Sequence, residues 1–391
     1  MTTTFDVIIA GAGPVGLSFA ASMASDGLRV ALIDRQELRS LAIPTFDGRE
    51  IALTLASERV LRKLGAWPHL QPDEISPLRA ARVRNGGAEA TLALHAAGRR
   101  SSAMASLVPN HHIRAALFKA TIQHSGLEMF AGRTVSDVRA DQTAVRVALS
   151  DGTILGGQLL VAADSRLSPL RATLGIGAEI HETGRSILTF RVSHETDHHQ
   201  VALEWFDHHR TVALLPLNGR MSSIVLTLPT AEAERLATMG EGELGAQIAQ
   251  DRGLRLGKIR VASSRHVYPL VITYARNFVK PRAALIGDAA VGMHPVTAHG
   301  FNFGLSGQQT LATAVLAARH RNEDIGGSSV LRLFEVLHRR NTRPLYLATN
   351  ALVRLYTDET AAGRLARQAV LHAGRYLPFA QAAVSAVLTA S

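Results

Sequence analysis

Near the start of the chain, Gly11-Ala12-Gly13-Pro14-Val15-Gly16 follows an apolar run over 5–10 and opens a helix-compatible stretch over 14–25. Each glycine has a mechanical reading. Gly11 permits a tight turn, Gly13 lets backbone N–H groups approach a pyrophosphate at the positive end of a helix, and Gly16 allows close packing of helix on strand. Pro14 falls at the first helical position, where a missing N–H costs nothing. Asp34 closes a second apolar run over 29–33, at the spacing where a carboxylate takes a pair of ribose hydroxyls. The chemistry predicted here is the holding of a dinucleotide.

A second candidate lies far downstream. The buried-looking run 283–286 ends in Gly287-Asp288, and His294-Pro295-Val296-Thr297-Ala298-His299-Gly300-Phe301-Asn302 follows. A polar residue ending an apolar strand is what ligand sites in open sheets require. Asp288 would accept from a ribitol or ribose hydroxyl, while Gly300 starts a helix whose first N–H groups, at Phe301 and Asn302, face whatever lies above. On these residues alone, an Asp-capped turn without a ligand is the alternative.

Other patterns carry less. Gly240-Glu241-Gly242-Glu243-Leu244-Gly245 repeats the glycine spelling but follows a helix-like segment, and its glutamates would repel phosphate; it reads as a helix–helix linker. The doublets His111-His112, His198-His199 and His208-His209 would diverge on strands, no zinc-type spacing occurs, and no metal is expected. No nucleophile elbow is present, which leaves hydrolase chemistry unsupported.

The elements that must position these groups form a βαβ opening over 5–34, then helices over 57–64 and 111–124, alternating strands over 78–94 and a buried strand over 159–163. From 185 to 228 the period becomes two, with a hairpin signal at Asn218-Gly219. Strand returns over 260–270, helix over 301–320, and the remainder is helix-rich, with eight Arg against three acids over 332–375. The predicted fold class is α/β: a Rossmann-like dinucleotide domain with an inserted antiparallel-sheet substrate domain and a C-terminal helical tail.

Composition bounds the function. The 391 residues contain no cysteine, so thiol nucleophiles, thiolate metal sites and disulfides are excluded, and redox chemistry needs a borrowed cofactor. The net charge of +10 comes from 38 Arg against 4 Lys spread along the chain, and aromatics make up only 5%. Nucleic acid is therefore not an expected partner. No signal sequence is expected from residues 1–5, and the uncharged stretch 376–391 is too short to span a bilayer and contains Pro378. A cytoplasmic location, with possible peripheral contact at the inner face of the membrane, is the expectation.

The order Gly11-x-Gly13-x-x-Gly16, Asp164-x-x-x-Ser168-x-x-Arg171, Gly287-Asp288 and 295–302 resembles the single-component FAD aromatic hydroxylases. Within them it is most similar to the ubiquinone-biosynthesis hydroxylases, as the segments Asp47-Gly48-Arg49-Glu50-Ile51-Ala52-Leu53 and Tyr268-Pro269-Leu270 also suggest. The Thr-Ala-His-Gly-Phe-Asn run resembles a demethoxyubiquinol hydroxylase subgroup.

The resemblance implies FAD as cofactor, NADPH or NADH as transient reductant, and a polyprenyl phenol or quinol substrate hydroxylated with O2. It implies that Asp164 and Asp288 hold FAD hydroxyls, that Arg49 neutralises the pyrophosphate and that Arg114 lies along the nucleotide; solvated surface Arg is the alternative for the last two. Pro295, Gly300, Phe301 and Asn302 would line the flavin, and His299 is a candidate base by location. Ser165 and Ala298-His299 depart from the family's usual Gly and Gly-Gln. The implied organisation is an FAD-binding part over 1–75, 100–180 and 265–330, a substrate part over 76–99 and 181–264, and a helical segment over 331–391. Alternatives on the same motifs are an FAD-dependent reductase of isoprenoid double bonds, a hydroxylase of a soluble phenol, and a non-catalytic FAD-binding subunit of a biosynthetic assembly.

Overall fold

The computed structural model describes residues 3–85, 91–95, 103–207, 210–250, 254, 256–294 and 300–357. Three sheets organise them. The first contains the parallel strands β1 (Thr3–Ala10), β2 (Val30–Asp34), β8 (Leu127–Ala131), β11 (Ile154–Ala162) and β19 (Ala283–Leu285), extended by antiparallel β9 (Val135–Ala140), β10 (Val145–Leu149) and β18 (Val279–Lys280). Its order, β18-β19-β11-β1-β2-β8, puts β1 at the centre with β2 on one side and β11 on the other. Val7, Ile8, Ile9, Val30, Leu32, Leu159, Leu160 and Val161 are fully buried, which is why these strands read as continuous apolar runs rather than alternating ones.

Helix α1 (Pro14–Ser25) packs on β1 and β2, α5 (Pro169–Thr173) reaches β9, and α2 (Leu38–Ala42), α3 (Leu55–Lys63), α4 (Asn110–Ile122) and α8 (Gly300–His320) pack around α1 in the same core. Helix α9 (Ser328–Thr357) packs along α8, with Phe334 and Tyr346 in the same core. The segment after 331 is thus an integral layer of the first core as far as it is described.

The second sheet comprises β5 (Ala80–Asn85), β6 (Thr91–His95), β12 (Ala178–His194), β13 (Val201–Asp207), β14 (Arg210–Leu217), β15 (Met221–Pro229), β16 (Ile259–Val261), β17 (His266–Ala275) and β20 (Val291–Gly292). One face buries Leu188, Phe190, Leu214, Ile224 and Leu226 against α6 (Thr230–Thr238) and α7 (Glu241–Ala249). The other face turns inward. Strand β17 pairs along β12, from Ala178↔Ala275 to Thr189↔His266. Residues 266–275, which sequence reading placed with the FAD-binding part, therefore lie in this sheet, because backbone pairing with a 17-residue partner strand decides membership where composition does not.

A third, three-stranded sheet of β3 (Glu50–Leu53), β4 (Ser76–Leu78) and β7 (Ala105–Pro109) bridges the other two. Strands this short leave no periodic signal, and the sequence did not reveal the sheet. The Gly240–Gly245 pattern also differs from its linker reading: Gly240 caps α7 and the rest lies inside that helix, where Gly245 lets it approach the Ile259 carbonyl. His111 and His112 sit on α4 with ring centroids 4.1 Å apart, not diverging on a strand. Among the described residues, no helix is long and apolar enough to cross a membrane.

Candidate cofactor and substrate site

The C-terminal ends of four adjacent parallel strands gather groups separated by up to 277 positions in the chain, from 11 to 288. Gly11 follows β1, Asp34 ends β2, Asp164 follows β11 and Asp288 follows β19. This is the crevice beside a central strand at which open α/β sheets bind ligands.

At the first turn Gly11 has φ of +109°, and a Cβ there would meet the Ala163 carbonyl oxygen at 2.3 Å. A Cβ on Gly16 would lie 1.8 Å from the Gly11 oxygen, which explains the close seating of α1 on the sheet. Gly13, in contrast, faces open space with nothing within 4 Å. It caps α1 without a side-chain hydrogen bond, and the first turn carries no acid. The leading N–H groups and positive helix end are uncovered on that face, the cradle a pyrophosphate needs. The Asp34 carboxylate accepts from Ala12 N at 2.7 Å and Gln36 N at 2.8 Å, fixing it beside the glycine turn. These residues fit a dinucleotide.

The second and third motifs are joined. Asp164 accepts from Ser168 Oγ at 2.6 Å and from Leu170 N at 3.2 Å, so its carboxylate also caps α5. Each oxygen retains a lone pair for a further donor. Arg166 holds Asp288 Oδ2 at 3.0 Å and anchors itself on the Val271 carbonyl at 2.8 Å, leaving Oδ1 of Asp288 without a partner among the described residues. Buried Arg171 donates to the carbonyls of Arg166 and Ala289. Val15 occupies the space left by two other glycines, since a Cβ on Gly287 would meet it at 3.3 Å and one on Gly304 at 2.5 Å.

The Asp47-Gly48-Arg49 turn docks on the inward face of the second sheet. Thr189 Oγ1 donates to the Gly48 carbonyl at 2.7 Å, and Tyr268 Oη donates to that of Asp47 at 2.7 Å. Arg49 pairs with Asp47 at 2.6 Å and lies over the Tyr268 ring. Burial pulls the Asp47 carboxyl upward, but the Arg49 charge and hydrogen bonds from Arg49 and Asn110 outweigh it and hold it below the ordinary value. Next to it, Arg191 contacts Glu50 at 2.7 Å; burial raises that carboxyl and the Arg191 charge opposes the rise. Arg114 donates to Gln36 at 3.1 Å, which brings it to the Asp34 side of the crevice.

Asn302, at the start of α8, donates to the Ala52 carbonyl at 2.9 Å and accepts from Thr54 N at 3.3 Å. Its side chain thereby pins β3 to α8, a role its spacing did not announce. Gly300 and Phe301 form the first turn of α8. Pro295 and His299 lie outside the described residues. His294, just before them, is pushed down to about 4 by burial and the neighbouring Arg166 and Arg185 charges. Sequence reasoning missed Arg166, Gln36, Asn110 and Arg191, whose partners are remote and leave no local pattern.

Residues 4–324 match the family model described as an FAD binding domain. Among solved structures, p-nitrophenol 4-monooxygenase PnpA from Pseudomonas putida has a TM-score of 0.78 at 18% identity, with 100% of this chain and 99% of that one covered. PqsL, a probable FAD-dependent monooxygenase from Pseudomonas aeruginosa, has a TM-score of 0.76 at 19% identity, with 91% and 97% covered. Ubiquinone hydroxylase UbiM of Neisseria meningitidis is 41% identical over 382 residues, covering 97% of this chain and 83% of the relative. Ubiquinone hydroxylase UbiL of Rhodospirillum rubrum is 33% identical over 364 residues, covering 93% and 84%. Fold, crevice and kinship together define an FAD-dependent monooxygenase. Within that class the chain belongs to the ubiquinone-biosynthesis hydroxylase family.

Proposed function

We propose that the protein hydroxylates the ring of a polyprenylated phenol or quinol of the demethoxyubiquinol type, using NADPH or NADH and O2. The observation that carries this reading is the gathering of Gly11, Asp34, Asp164 and Asp288 at one sheet edge, beside a second sheet whose inward face is tied to the same edge through Gly48. In this reading Gly11, Gly13, Pro14 and Gly16 seat the pyrophosphate at the α1 N-terminus and Asp34 takes ribose hydroxyls. Arg49 and Arg114 balance the phosphate charge, Asp164 and Oδ1 of Asp288 accept from FAD hydroxyls, and Gly287, Gly300, Phe301 and Asn302 shape the flavin side. When bound, FAD supplies the redox and oxygen chemistry; the chain binds, orients and excludes water. The first and third sheets with their helices would form the FAD-binding part, and the second sheet the substrate part.

The polyprenyl chain favours a bilayer, and α9 exposes Leu333, Val336, Leu337 and Leu347 beside Arg332 and Arg340. That mixed apolar and cationic face supports peripheral contact with anionic lipid. Co-sedimentation with anionic liposomes, lost in a Leu333→Ser/Val336→Ser variant, tests it.

For the reaction, FAD-loaded protein is reduced anaerobically with NADPH, then mixed with labelled O2 and a short-chain demethoxyubiquinol analogue. One labelled oxygen on the ring is the expected result. Reoxidation to hydrogen peroxide with the analogue unchanged would remove the proposed substrate class.

A further inference from the structure

Strand β13 carries an acidic residue, Glu204, that has no ionic partner among the described residues. Leu203 and Trp205 point to the α6–α7 side of the second sheet, so Ala202, Glu204 and Phe206 point to the inward side. Ala202 packs there with Leu78, Ala105 and Leu107, and Ala52 lies against the same cluster. Across the sheet the register runs Glu204↔Ala213, Ala213↔Val225, Val225↔Thr189. One end of the inward face is therefore fixed by Thr189 to the Asp47–Arg49 turn, and the other by Ala52 to Asn302 at the start of α8. Glu204 lies between, about 14 Å from Thr189 at the usual spacing of three strand steps.

Glu204 is partly buried: the surrounding protein desolvates its carboxyl while part of the side chain stays accessible. Its cross-strand neighbours are Ala213 and Val83 and its strand neighbours on that face are Ala202 and Phe206, so small side chains flank it on the β14 and Ala202 sides. Among the described residues no hydrogen bond or ion pair reaches it. The charged groups on the packed elements are otherwise directed: Arg84 lies over Trp205 on the opposite face and Arg82 is exposed. Arg210 pairs with Asp207 at the strand end, and Glu50 is held by Arg191. Strands β4 and β7 carry no charge.

An unpaired carboxyl in such a place needs a partner of its own. We infer that Glu204 is a substrate-binding residue whose carboxyl group, in its protonated form, hydrogen-bonds the hydroxyl-bearing edge of the aromatic ring. A protonated carboxyl presents one donor and one acceptor side by side, the complement of a ring hydroxyl beside a second ring oxygen. The inference rests on the proposed phenol or quinol substrate. Burial pushes Glu204 up to about 8, which keeps the protonated form dominant at neutral pH.

The test is equilibrium binding of 2-methoxy-6-prenylphenol to the FAD-loaded protein at pH 6.5 and pH 9, with bound FAD content as the folding control. Wild type loses affinity about tenfold between these pH values, while the phenol itself ionises only near 10, as Tyr does. Glu204→Gln, which keeps a donor and an acceptor in the same places, binds like wild type at pH 6.5 and does not lose affinity at pH 9. Glu204→Ala binds about tenfold more weakly at pH 6.5. Equal binding by wild type and Glu204→Ala, or a Glu204→Gln protein with the wild-type pH dependence, would overturn the Glu204 assignment alone. Failure of wild type to bind the phenol at either pH would remove the substrate class and the assignment with it.

Discussion

Arg171 Nη1 donates to the carbonyl oxygen of Ala289, 118 residues further along the chain, at 2.9 Å. Its other contact, to the Arg166 carbonyl at 3.1 Å, lies two residues from Asp164. This buried guanidinium therefore ties the Asp164 turn to the Asp288 turn, alongside the direct Arg166–Asp288 ion pair. Both turns lie beyond the point where β11 and β19 pair with each other, so these side-chain contacts are what join them.

Arg171→Met removes both bonds and leaves two carbonyls without this donor, at a cost of about 2–3 kcal/mol. Urea unfolding of the apo protein measures the loss directly. FAD retention falls in parallel if the two turns are aligned by this residue, and full retention of FAD in a destabilised Arg171→Met protein would show that the alignment does not matter for binding.

The glycine turn separates folding from binding. Gly16→Ala places a methyl 1.8 Å from a backbone oxygen and is expected to prevent accumulation of folded protein. Gly13→Ala meets nothing within 4 Å and has an ordinary φ of −71°, so the apo fold changes by no more than about 1 kcal/mol. The methyl nevertheless stands on the face left for phosphate, and FAD affinity should fall at least about tenfold. Thermal unfolding of apo protein and flavin fluorescence titration read the two effects apart.

Asp47 carries a pH signature. Its folded pKa lies below the unfolded one, so its contribution is present above pH ~4 and is lost as pH falls through the folded value. Asp47→Asn should cost about 1 kcal/mol at pH 7, a figure kept low because Arg49 is half-exposed. The gap to wild type should narrow progressively below pH 4. A constant gap in denaturant titrations across that range would mean that Asp47 acts by packing alone.

The parts legible in the sequence were those whose logic is local. The Gly11–Gly16 turn, Asp34 and the Asn218-Gly219 hairpin each lie within one βα or ββ unit, where spacing alone carries the geometry. Arg166 and Arg191 act on partners 122 and 141 positions away, and an Arg-rich chain supplies many equivalent candidates; Arg171 stood in a motif, but its partner 118 positions on did not show. Glu204 sits in the run Leu203-Glu204-Trp205-Phe206, where alternation alone does not tell an inward carboxyl from an outward one. Only the bridging sheet of β3, β4 and β7, invisible by periodicity, shows which face is covered.

His338 joins α9 to the first core, and its ring lies where a Cβ on Gly307 would meet it at 2.6 Å. It stacks on Phe334 and is 2% exposed, with Nδ1 lacking a hydrogen-bond partner among the described residues. Burial, aided by the Arg339 charge, pushes its pKa down to about 4, so the folded protein holds it neutral. The unfolded chain binds a proton at about 6.5, and between those values the unfolded state carries more protons than the folded one. Stability must therefore rise with pH across that window, by up to about 1.4 kcal/mol per unit from this group. His338→Leu keeps an apolar contact with Phe334 and removes the titration. Its stability measured from pH 4.5 to 6.5 should rise less steeply than that of wild type, and identical slopes would place the acid sensitivity in His111 and His294, which are also pushed down to about 4.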